Sequence, residues 1–176
     1  MSQINKKRKF IAINIALLTI SDSRTLKEDK SGDLLFKTIR DFGHHVYNRQ
    51  IVKDDVSLIK KTILSLANNR SIDVIITIGG TGLTGRDLTP EAIKDLADKH
   101  IEGFGELFRQ ISFNKIGTST VQSRALGALI KGTYIFALPG SPSACKDAWN
   151  EILKFQLDNR HRPCNFVEIM PRLLET

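Results

Sequence analysis

Hydrophobic residues along this chain follow two kinds of pattern, one typical of buried strands and the other of amphipathic helices. Runs rich in β-branched residues predict strands at 11–20, 45–52, 72–78 and 133–138. Apolar residues at three- and four-residue spacing predict helices at 32–42, 56–69, 90–99, 102–113, 121–130 and 143–155. Because strands that alternate with helices form a parallel sheet covered on both faces, the pattern predicts an α/β fold.

Polar residues follow three of the predicted strands. Ser21 and Asp22 follow the first strand, a glycine-rich loop follows the third, and Gly140 and Ser141 follow the fourth. In an open parallel sheet, ligands bind beyond the carboxyl ends of the strands. We therefore expect these loops to converge on one cleft, with an anion-binding turn after the fourth strand and Ser143 as the cap of the next helix.

The glycine-rich loop carries the strongest functional signal in the chain. Its sequence from 77 to 91 is TIGGTGLTGRDLTPE, in which four glycines separate a β-branched run from a helix start. Thr89 is predicted as the N-cap of that helix and Pro90 as its first residue. Glycines let backbone N–H groups close around a phosphate, and the helix dipole adds partial positive charge. The loop therefore predicts an anion site.

Asp87 stands near the end of this loop and changes the kind of site that it predicts. A carboxylate beside a phosphate repels it, so its presence suggests a bridging divalent cation. Carboxylate, water and phosphate oxygens are the ligands that Mg²⁺ prefers. The loop therefore predicts a nucleotide site that holds Mg²⁺.

Two common nucleotide-binding motifs come close to this loop, and neither matches it. The glycines at 80–85 have the spacing of a dinucleotide-binding turn, but the helix starts late and the segment 102–113, where a strand-end acid is expected, looks helical. A P-loop needs Lys and then Ser or Thr after its last glycine, whereas this chain has Arg86 and Asp87. An NAD site and a purely structural turn are the alternatives.

Length and composition favour a single domain. The chain has 176 residues, 41% of them hydrophobic, and no composition shift divides it. We expect a mobile basic arm over 1–10 and one domain over 11–176. The net charge is +7, but residues 6–9 contribute four of the positive charges. No recognised nucleic-acid motif is present, so we expect no nucleic-acid partner.

Several features bear on the location of the protein. No apolar run reaches the roughly 18–20 residues that span a membrane, so we expect no membrane association. Residues 6–20 imitate a signal peptide, but Asn14 and the isoleucine-rich composition suit a first buried strand better. Cys145 and Cys164 are the only cysteines and lack metal-ligand spacing, which predicts a reduced, cytoplasmic setting.

Two further polar segments each allow two interpretations. Asp54 and Asp55 follow the second predicted strand, where they either supply a carboxylate to the sheet edge or cap the next helix. The segment 117–124 ends in Ser123 and Arg124, and its hydroxyls and guanidinium suit a phosphate. Capping of the helix predicted at 121–130 is the favoured interpretation of that segment.

Taken together, several segments resemble the molybdenum cofactor biosynthesis MoaB/MogA family, the molybdopterin adenylyltransferases. The likeness spans about 11–166 and rests on the motifs at 79–82, 86–91, 102–106 and 138–141. The segments 116–124 and 162–166 look most like the bacterial B-type branch. This resemblance implies a three-layer α/β molybdopterin-binding fold around a mostly parallel sheet, assembled as a homotrimer or homohexamer.

The resemblance also implies transfer of AMP from Mg-ATP to the terminal phosphate of molybdopterin, with release of pyrophosphate and hand-over of the product to a molybdate-inserting transferase. Asp87 and Glu91 would then match the family's acidic pair, and Asp54 an acidic position after the second strand. We expect Asp87 and Asp54 to be the catalytic carboxylates and ligands of Mg²⁺, with orientation of the attacking phosphate as the alternative role of Asp54. The binding residues that it implies are Gly79, Gly80, Thr81, Gly82, Thr89, Glu91, Ser21, Asp22, Gly140, Ser141, Ser123 and Arg124.

The chemistry of these residues suits such a reaction. Transfer of AMP needs two aligned phosphates and neutralised charge more than it needs a protein nucleophile. Arg86 and Arg124 are candidates for direct pairing with phosphate. A non-catalytic member of the same family, which binds molybdopterin or a nucleotide, is the alternative.

Overall fold

A central six-stranded sheet with helices on both faces forms the body of the molecule. The structure is a computed structural model that describes residues 3–175. In the first part of the chain the elements are β1 (Gln3–Ile4), β2 (Asn14–Ile20), α1 (Lys30–Phe42), β3 (His45–Val52), α2 (Val56–Ala67), β4 (Val74–Ile78), α3 (Thr89–Lys94), β5 (Lys99–Ile101) and α4 (Glu102–Ile116).

The second part of the chain completes the sheet and adds short helices. Its elements are a 3₁₀-helix (Gly117–Gln122), β6 (Leu126–Ile130), β7 (Thr133–Leu138), α5 (Pro142–Asp147), a π-helix (Ala148–Leu153), α6 (Lys154–Gln156), β8 (His161–Arg162), α7 (Phe166–Ile169) and a final 3₁₀-helix (Met170–Arg172). Within the described residues 3–175, no helix is long and apolar enough to cross a membrane.

The order of strands in the sheet is β3-β2-β4-β7-β6-β5. The first four of these pair in parallel, and β6 pairs antiparallel with both of its neighbours. From β2 the chain moves to one side to form β3 and then returns to the other side to form β4, which creates a topological switch point beside β2. The predicted α/β fold with a mostly parallel sheet is confirmed.

Alternate residues of the central strands supply two separate cores. In β2, Ile15 and Leu17 pack on the face covered by α1, α4, α5 and the π-helix, whereas Ala16 and Leu18 pack on the face covered by α2 and α3. All four side chains are fully buried. Strands buried on both faces have continuous apolar sequences, which is why the pattern of the chain identified them.

The helix predicted at 121–130 is wrong. Its second half is the strand β6, which forms a hairpin with β7 through the two-residue turn Lys131-Gly132. Both turn residues have positive φ, 52° at Lys131 and 81° at Gly132, as a type I′ turn requires. The short run Leu126–Ile130 has apolar residues at spacings that suit either structure, and pairing with β7 decides for the strand.

Both predicted helix caps are displaced from their predicted positions. Thr89 is the first residue of α3 and not its N-cap, and Pro90 comes second. Ser143 lies inside α5, whose N-cap is Ser141; the Ser141 hydroxyl accepts a hydrogen bond from the Ala144 N–H at 3.3 Å. Because proline favours the first helical position, α5 begins at Pro142 and the residue before it, Ser141, is the N-cap.

Residues 3–10, which the sequence sets apart as an arm, contact the end of the chain. β1 pairs antiparallel with β8. Beyond it, the Asn5 N–H donates to the Arg160 carbonyl oxygen at 2.8 Å, and Arg8 forms an ion pair with Glu168. Strands of two residues give no periodic signal in a sequence, so the sequence pattern does not predict β1 and β8.

Candidate functional site

The loops that follow β2, β4 and β7 line one cleft of about 670 Å³ at the carboxyl edge of the parallel strands. It lies beside the switch point of the sheet, where an open α/β sheet usually binds its ligands. The predicted site residues that line it are Ser21, Asp22, Asp54, Gly79, Gly80, Thr81, Gly82, Arg86, Asp87, Ser123, Gly140 and Ser141.

The glycine-rich loop enters the cleft in a backbone conformation that excludes side chains. Gly79 and Gly80 have φ of 100° and 62°. A Cβ at Gly79 would lie 2.6 Å from the Ile20 carbonyl oxygen, and a Cβ at Gly80 would lie 2.3 Å from Oγ1 of Thr89. Among residues 3–175, the N–H groups of Gly80 and Thr81 have no protein acceptor. These amides are therefore available to an anion.

Thr89 holds this loop from behind. It is fully buried, its hydroxyl donates to the Gly79 carbonyl oxygen at 3.0 Å, and its N–H donates to the Gly80 carbonyl oxygen at 3.0 Å. Thr89 does not line the cleft, so its hydroxyl supports the loop.

Asp87 is ionised and held in one orientation. Its Oδ2 accepts hydrogen bonds from the Thr84 N–H at 2.9 Å and from the Thr84 hydroxyl at 2.6 Å. The bond from the Thr84 hydroxyl is the main cause that lowers the pKa of Asp87 below its usual range.

Asp54 carries its carboxylate into the cleft with one oxygen buried. Burial raises the pKa of Asp54, and the negative charges of Asp22 and Asp87 raise it further. Its buried Oδ1 has no hydrogen-bond partner among residues 3–175. The neighbouring Asp55 has a separate role, because its side chain caps α2 by accepting from the Leu58 N–H at 2.8 Å.

A cation would suit this group of carboxylates. The charges of Asp22 and Asp87 each disfavour a negative charge on Asp54, and Asp54 has an unpaired oxygen. Across residues 3–175, no three Asp, Glu, His or Cys side chains lie close enough to hold an ion by themselves. Mg²⁺ needs only one or two carboxylates when water and substrate phosphates complete its shell, so Asp54 and Asp87 fit that ion.

The two arginines predicted to meet phosphate have different positions. Arg86 lines the cleft with its side chain 82% exposed, and its nearest acidic partner is Oδ2 of Asp22 at 3.6 Å. Arg124 does not line the cleft. Its Nε donates to the Gly82 carbonyl oxygen at 2.8 Å, a second nitrogen donates to the Asp87 carbonyl oxygen, and a third forms an ion pair with Glu91. Glu91 also lies outside the cleft.

The opposite wall of the cleft comes from α4 and the 3₁₀-helix after it. Its residues are Phe108, Ser112, Ile116, Ser119, Thr120, Gln122 and Ser123. The interpretation of 117–124 as a helix cap is wrong, because no α-helix follows that segment. The sequence analysis missed Phe108 and Ser112, although their four-residue spacing with Ile116 places all three on one face of α4.

Arg24 is a further cleft residue that the sequence analysis missed. It lines the cleft from the β2 loop, and one of its guanidinium nitrogens donates to the Gly140 carbonyl oxygen at 3.2 Å. The Ser31 hydroxyl donates to the same oxygen at 2.8 Å. These bonds tie the loop after β7 to the loop after β2 and to the first turn of α1.

Comparison with known proteins identifies relatives of the whole chain. A family model described as "Probable molybdopterin binding domain" matches residues 16–159. Molybdenum cofactor biosynthesis protein B of Escherichia coli (strain K12) is 45% identical over 166 residues, which cover 94% of this chain and 96% of the relative.

Solved structures agree with this result. A crystal structure of molybdenum cofactor biosynthesis protein B superposes with a TM-score of 0.86 at 38% identity and covers 96% of this chain and 100% of its own. The tungsten cofactor synthesizing protein MoaB from Pyrococcus furiosus superposes with a TM-score of 0.76 at 35% identity. This match covers 93% of this chain and 98% of the Pyrococcus chain. The three-layer arrangement is thus the molybdopterin-binding fold of these proteins, and the chain belongs to the molybdenum cofactor biosynthesis protein B family.

Proposed function

We propose that this protein acts in molybdenum cofactor biosynthesis by transferring AMP from Mg-ATP to molybdopterin. The observation that carries the proposal is the meeting of two features in one cleft. The N–H groups of Gly80 and Thr81 are available to an anion, and the carboxylates of Asp54 and Asp87 stand beside them. Membership of the family supports a molybdopterin-type substrate.

In the proposed reaction, an oxygen of the terminal phosphate of molybdopterin attacks the α-phosphorus of ATP. A new P–O bond forms, the bond from the α-phosphorus to the bridging oxygen breaks, and pyrophosphate leaves with the electron pair. No protein nucleophile is needed, so catalysis consists of alignment and charge stabilisation.

Different side chains and amides of the cleft would contribute to alignment and to charge stabilisation. The N–H groups of Gly80 and Thr81 would bind phosphate oxygens of the nucleotide, and the exposed guanidinium of Arg86 would pair with phosphate charge. Asp54 and Asp87 would hold Mg²⁺. When bound, this ion neutralises charge on the phosphates and on the leaving pyrophosphate.

Molybdopterin would lie along the opposite wall. Ser119, Gln122 and Ser123 offer hydroxyl and amide groups there, and Phe108 and Ile116 offer apolar surface. A pterin needs both kinds of contact, because its ring faces are apolar and its edges carry donors and acceptors. The adenylylated product would pass to a molybdate-inserting transferase, and we expect these steps in the cytoplasm.

A homotrimer or homohexamer is part of the same proposal. Large apolar side chains outside the cleft are exposed on α4 and on the 3₁₀-helix that follows it, with exposures of 54% at Phe113 and 80% at Val121. Exposed apolar surface of this kind favours burial against another chain. Light scattering of the purified protein measures the assembly directly, and a monomer would contradict this part.

The decisive experiment measures pyrophosphate release and adenylylated molybdopterin with purified protein, molybdopterin, ATP and Mg²⁺. We expect turnover in the unaltered protein and a loss of about 100-fold or more in Asp87→Ala, because the ion loses a ligand. Asp41→Ala, a change at an exposed carboxylate outside the cleft, is the control and should keep full activity. If the unaltered protein binds molybdopterin without releasing pyrophosphate, it is a binding protein and not a transferase.

A further inference from the structure

The segment 82–87 leaves and re-enters the body of the molecule as a small loop that carries Asp87. Within it, the Asp87 N–H donates to the Thr84 carbonyl oxygen at 3.0 Å, and Thr84 holds the Asp87 carboxylate. Leu83 is 67% exposed, and no atom lies within 4 Å of where a Cβ on Gly85 would stand. The tip of the loop therefore has few contacts, and its position depends on what holds its two ends.

Arg124 holds both ends. Its Nε donates to the Gly82 carbonyl oxygen at 2.8 Å, and another nitrogen of the same guanidinium donates to the Asp87 carbonyl oxygen. The third nitrogen pairs with Glu91 on α3, which fixes the plane of the guanidinium. A planar group with five N–H donors at fixed angles can bridge such acceptors, whereas the single ammonium of lysine cannot.

Arg124 and the residue before it, Ser123, lie on different sides of the cleft lining. Ser123 lines the opposite wall of the cleft, while Arg124 reaches behind the glycine-rich loop and stays outside the cleft. Two consecutive residues thus connect the wall expected to hold molybdopterin with the loop that carries Asp87.

We propose that Arg124 is a positioning residue, which fixes the ends of the loop 82–87 and so places the Asp87 carboxylate for a metal–phosphate ligand that Arg124 itself does not touch. The nature of that ligand rests on the proposed function, but the role of Arg124 in the loop does not. In this role Arg124 bonds to the backbone of the loop, in place of the direct pairing with phosphate that the sequence suggests.

The test compares four variants of the full-length protein without any substrate. Arg124→Ala removes all three contacts, Arg124→Lys keeps the charge but not the bridge, and Glu91→Gln removes only the ion pair. Arg70→Ala is the control, because Arg70 is exposed and donates to a carbonyl oxygen outside the cleft. Two properties are measured, hydrogen–deuterium exchange of peptides that cover the loop and affinity for Mn²⁺ by electron paramagnetic resonance.

We expect Arg124→Ala and Arg124→Lys to exchange faster in the loop and to bind Mn²⁺ about tenfold or more weakly, as removal of a residue that orients a metal ligand does. Glu91→Gln should have a smaller effect on both, and Arg70→Ala none. Millimolar guanidinium ion should restore part of the Mn²⁺ affinity of Arg124→Ala, which a general loss of packing would not allow. If Arg124→Ala does not fold, Arg124→Lys and its melting temperature decide the question.

Unchanged exchange and unchanged Mn²⁺ affinity in Arg124→Lys would overturn the proposal. Such a result, together with weaker binding of ATP, would instead mean that Arg124 pairs with phosphate directly. Because neither readout involves turnover, failure of this inference is distinguishable from failure of the adenylyl transfer. A protein that turned over no ATP could still show the loop effect, and an active one could lack it.

Discussion

Asp54 shows most clearly at the level of single residues why a bound cation would suit the cleft. Its Oδ1 is buried without a partner among residues 3–175, and burial together with the charges of Asp22 and Asp87 raises its pKa. A carboxyl group whose pKa is raised in the folded protein destabilises the fold once the pH exceeds its unfolded pKa. The same charge becomes favourable when a cation binds beside it.

Asp54→Asn should therefore have opposite effects with and without Mg²⁺. In its absence at pH 7, removal of the charge should raise the melting temperature slightly, by about 2 °C at most because the group is partly solvated. With millimolar Mg²⁺ the unaltered protein should gain stability by mass action, and the variant should gain less. Differential scanning fluorimetry with and without Mg²⁺ measures both effects.

The neighbouring carboxylate supplies the control for this experiment. Asp55 caps α2, and asparagine caps a helix as well as aspartate does, so Asp55→Asn should change neither the melting temperature nor the response to Mg²⁺. An equal response to Mg²⁺ in Asp54→Asn and in the unaltered protein would remove Asp54 from the metal site.

Two residues near the cleft show why a polar residue in a motif is not thereby a ligand. Thr89 and Arg124 stand in segments that suggest phosphate contact, yet Thr89 bonds to Gly79 and Arg124 bonds to Gly82 and Asp87. The sequence identifies them as polar groups close to the site. Which acceptors they use depends on how the loop folds back on α3, and that is a tertiary feature.

Among the elements, the glycine-rich loop gives the sharpest prediction. Gly80→Ala should destabilise the protein by about 1–3 kcal/mol, because φ is 62° and the new Cβ would lie 2.3 Å from Oγ1 of the buried Thr89. Urea unfolding measures the change in the free energy of unfolding. Gly85→Ala is the matched control, since a Cβ there meets no atom within 4 Å, and its effect should stay within about 0.5 kcal/mol. Equal effects of the two changes would show that backbone strain does not govern this loop.

The sequence predicts best the elements whose signal is strong and local. β3 and β7 have their predicted bounds, 45–52 and 133–138. β-branched and aromatic residues fill most of β7, and in β3 they stand near both ends, at Val46 and Tyr47 and at Ile51 and Val52. The sequence pattern wrongly predicts a helix over β6 because its five residues fit both periodicities, although Gly132 after Lys131 indicates a hairpin turn. β5, with three residues, gains its structure only from pairing with β6.

The sequence likewise predicts one part of the candidate site, the loops at the strand ends, and not the opposite wall. The three loops at strand ends follow from the rule for parallel sheets, and they do line one cleft. The opposite wall could not be derived in that way, because the chain order does not tell where α4 crosses the sheet edge. The residues at 108, 112 and 116 indicate only which face of α4 is able to line a cleft.

On the scale of the whole molecule, the N-terminal segment, α1 and the π-helix meet around one buried histidine. His44 is 3% exposed, and its ring lies 5.0 Å from that of Phe10, 5.4 Å from that of Phe42 and 6.3 Å from that of Trp149. Its Nδ1 accepts a hydrogen bond from the Ile13 N–H at 3.3 Å. The imidazole therefore joins the N-terminal segment, α1 and the π-helix.

Burial lowers the pKa of His44 from 6.5 to about 4, although the charge of Asp158 acts in the opposite direction and that of His45 in the same one. Between pH 6.5 and about 4, this histidine therefore binds a proton in the unfolded chain but not in the folded protein. Stability linked to His44 is fully present above pH 6.5 and is lost as the pH falls towards 4. Between pH 7 and pH 4.5 the loss should amount to about 2.5 kcal/mol.

His44→Gln tests this linkage, because its amide oxygen is able to accept the bond from Ile13 but does not titrate in this range. The variant will be less stable at pH 7, where it loses aromatic packing, but its free energy of unfolding should fall less between pH 7 and pH 4.5 than that of the unaltered protein. Urea unfolding at both pH values gives the difference. His45→Gln, at an exposed histidine, should follow the unaltered protein closely. If His44→Gln and the unaltered protein lost equal stability on acidification, the acid sensitivity would have to come from the carboxylates, and the contact between the N-terminal segment and the π-helix would not depend on a neutral imidazole.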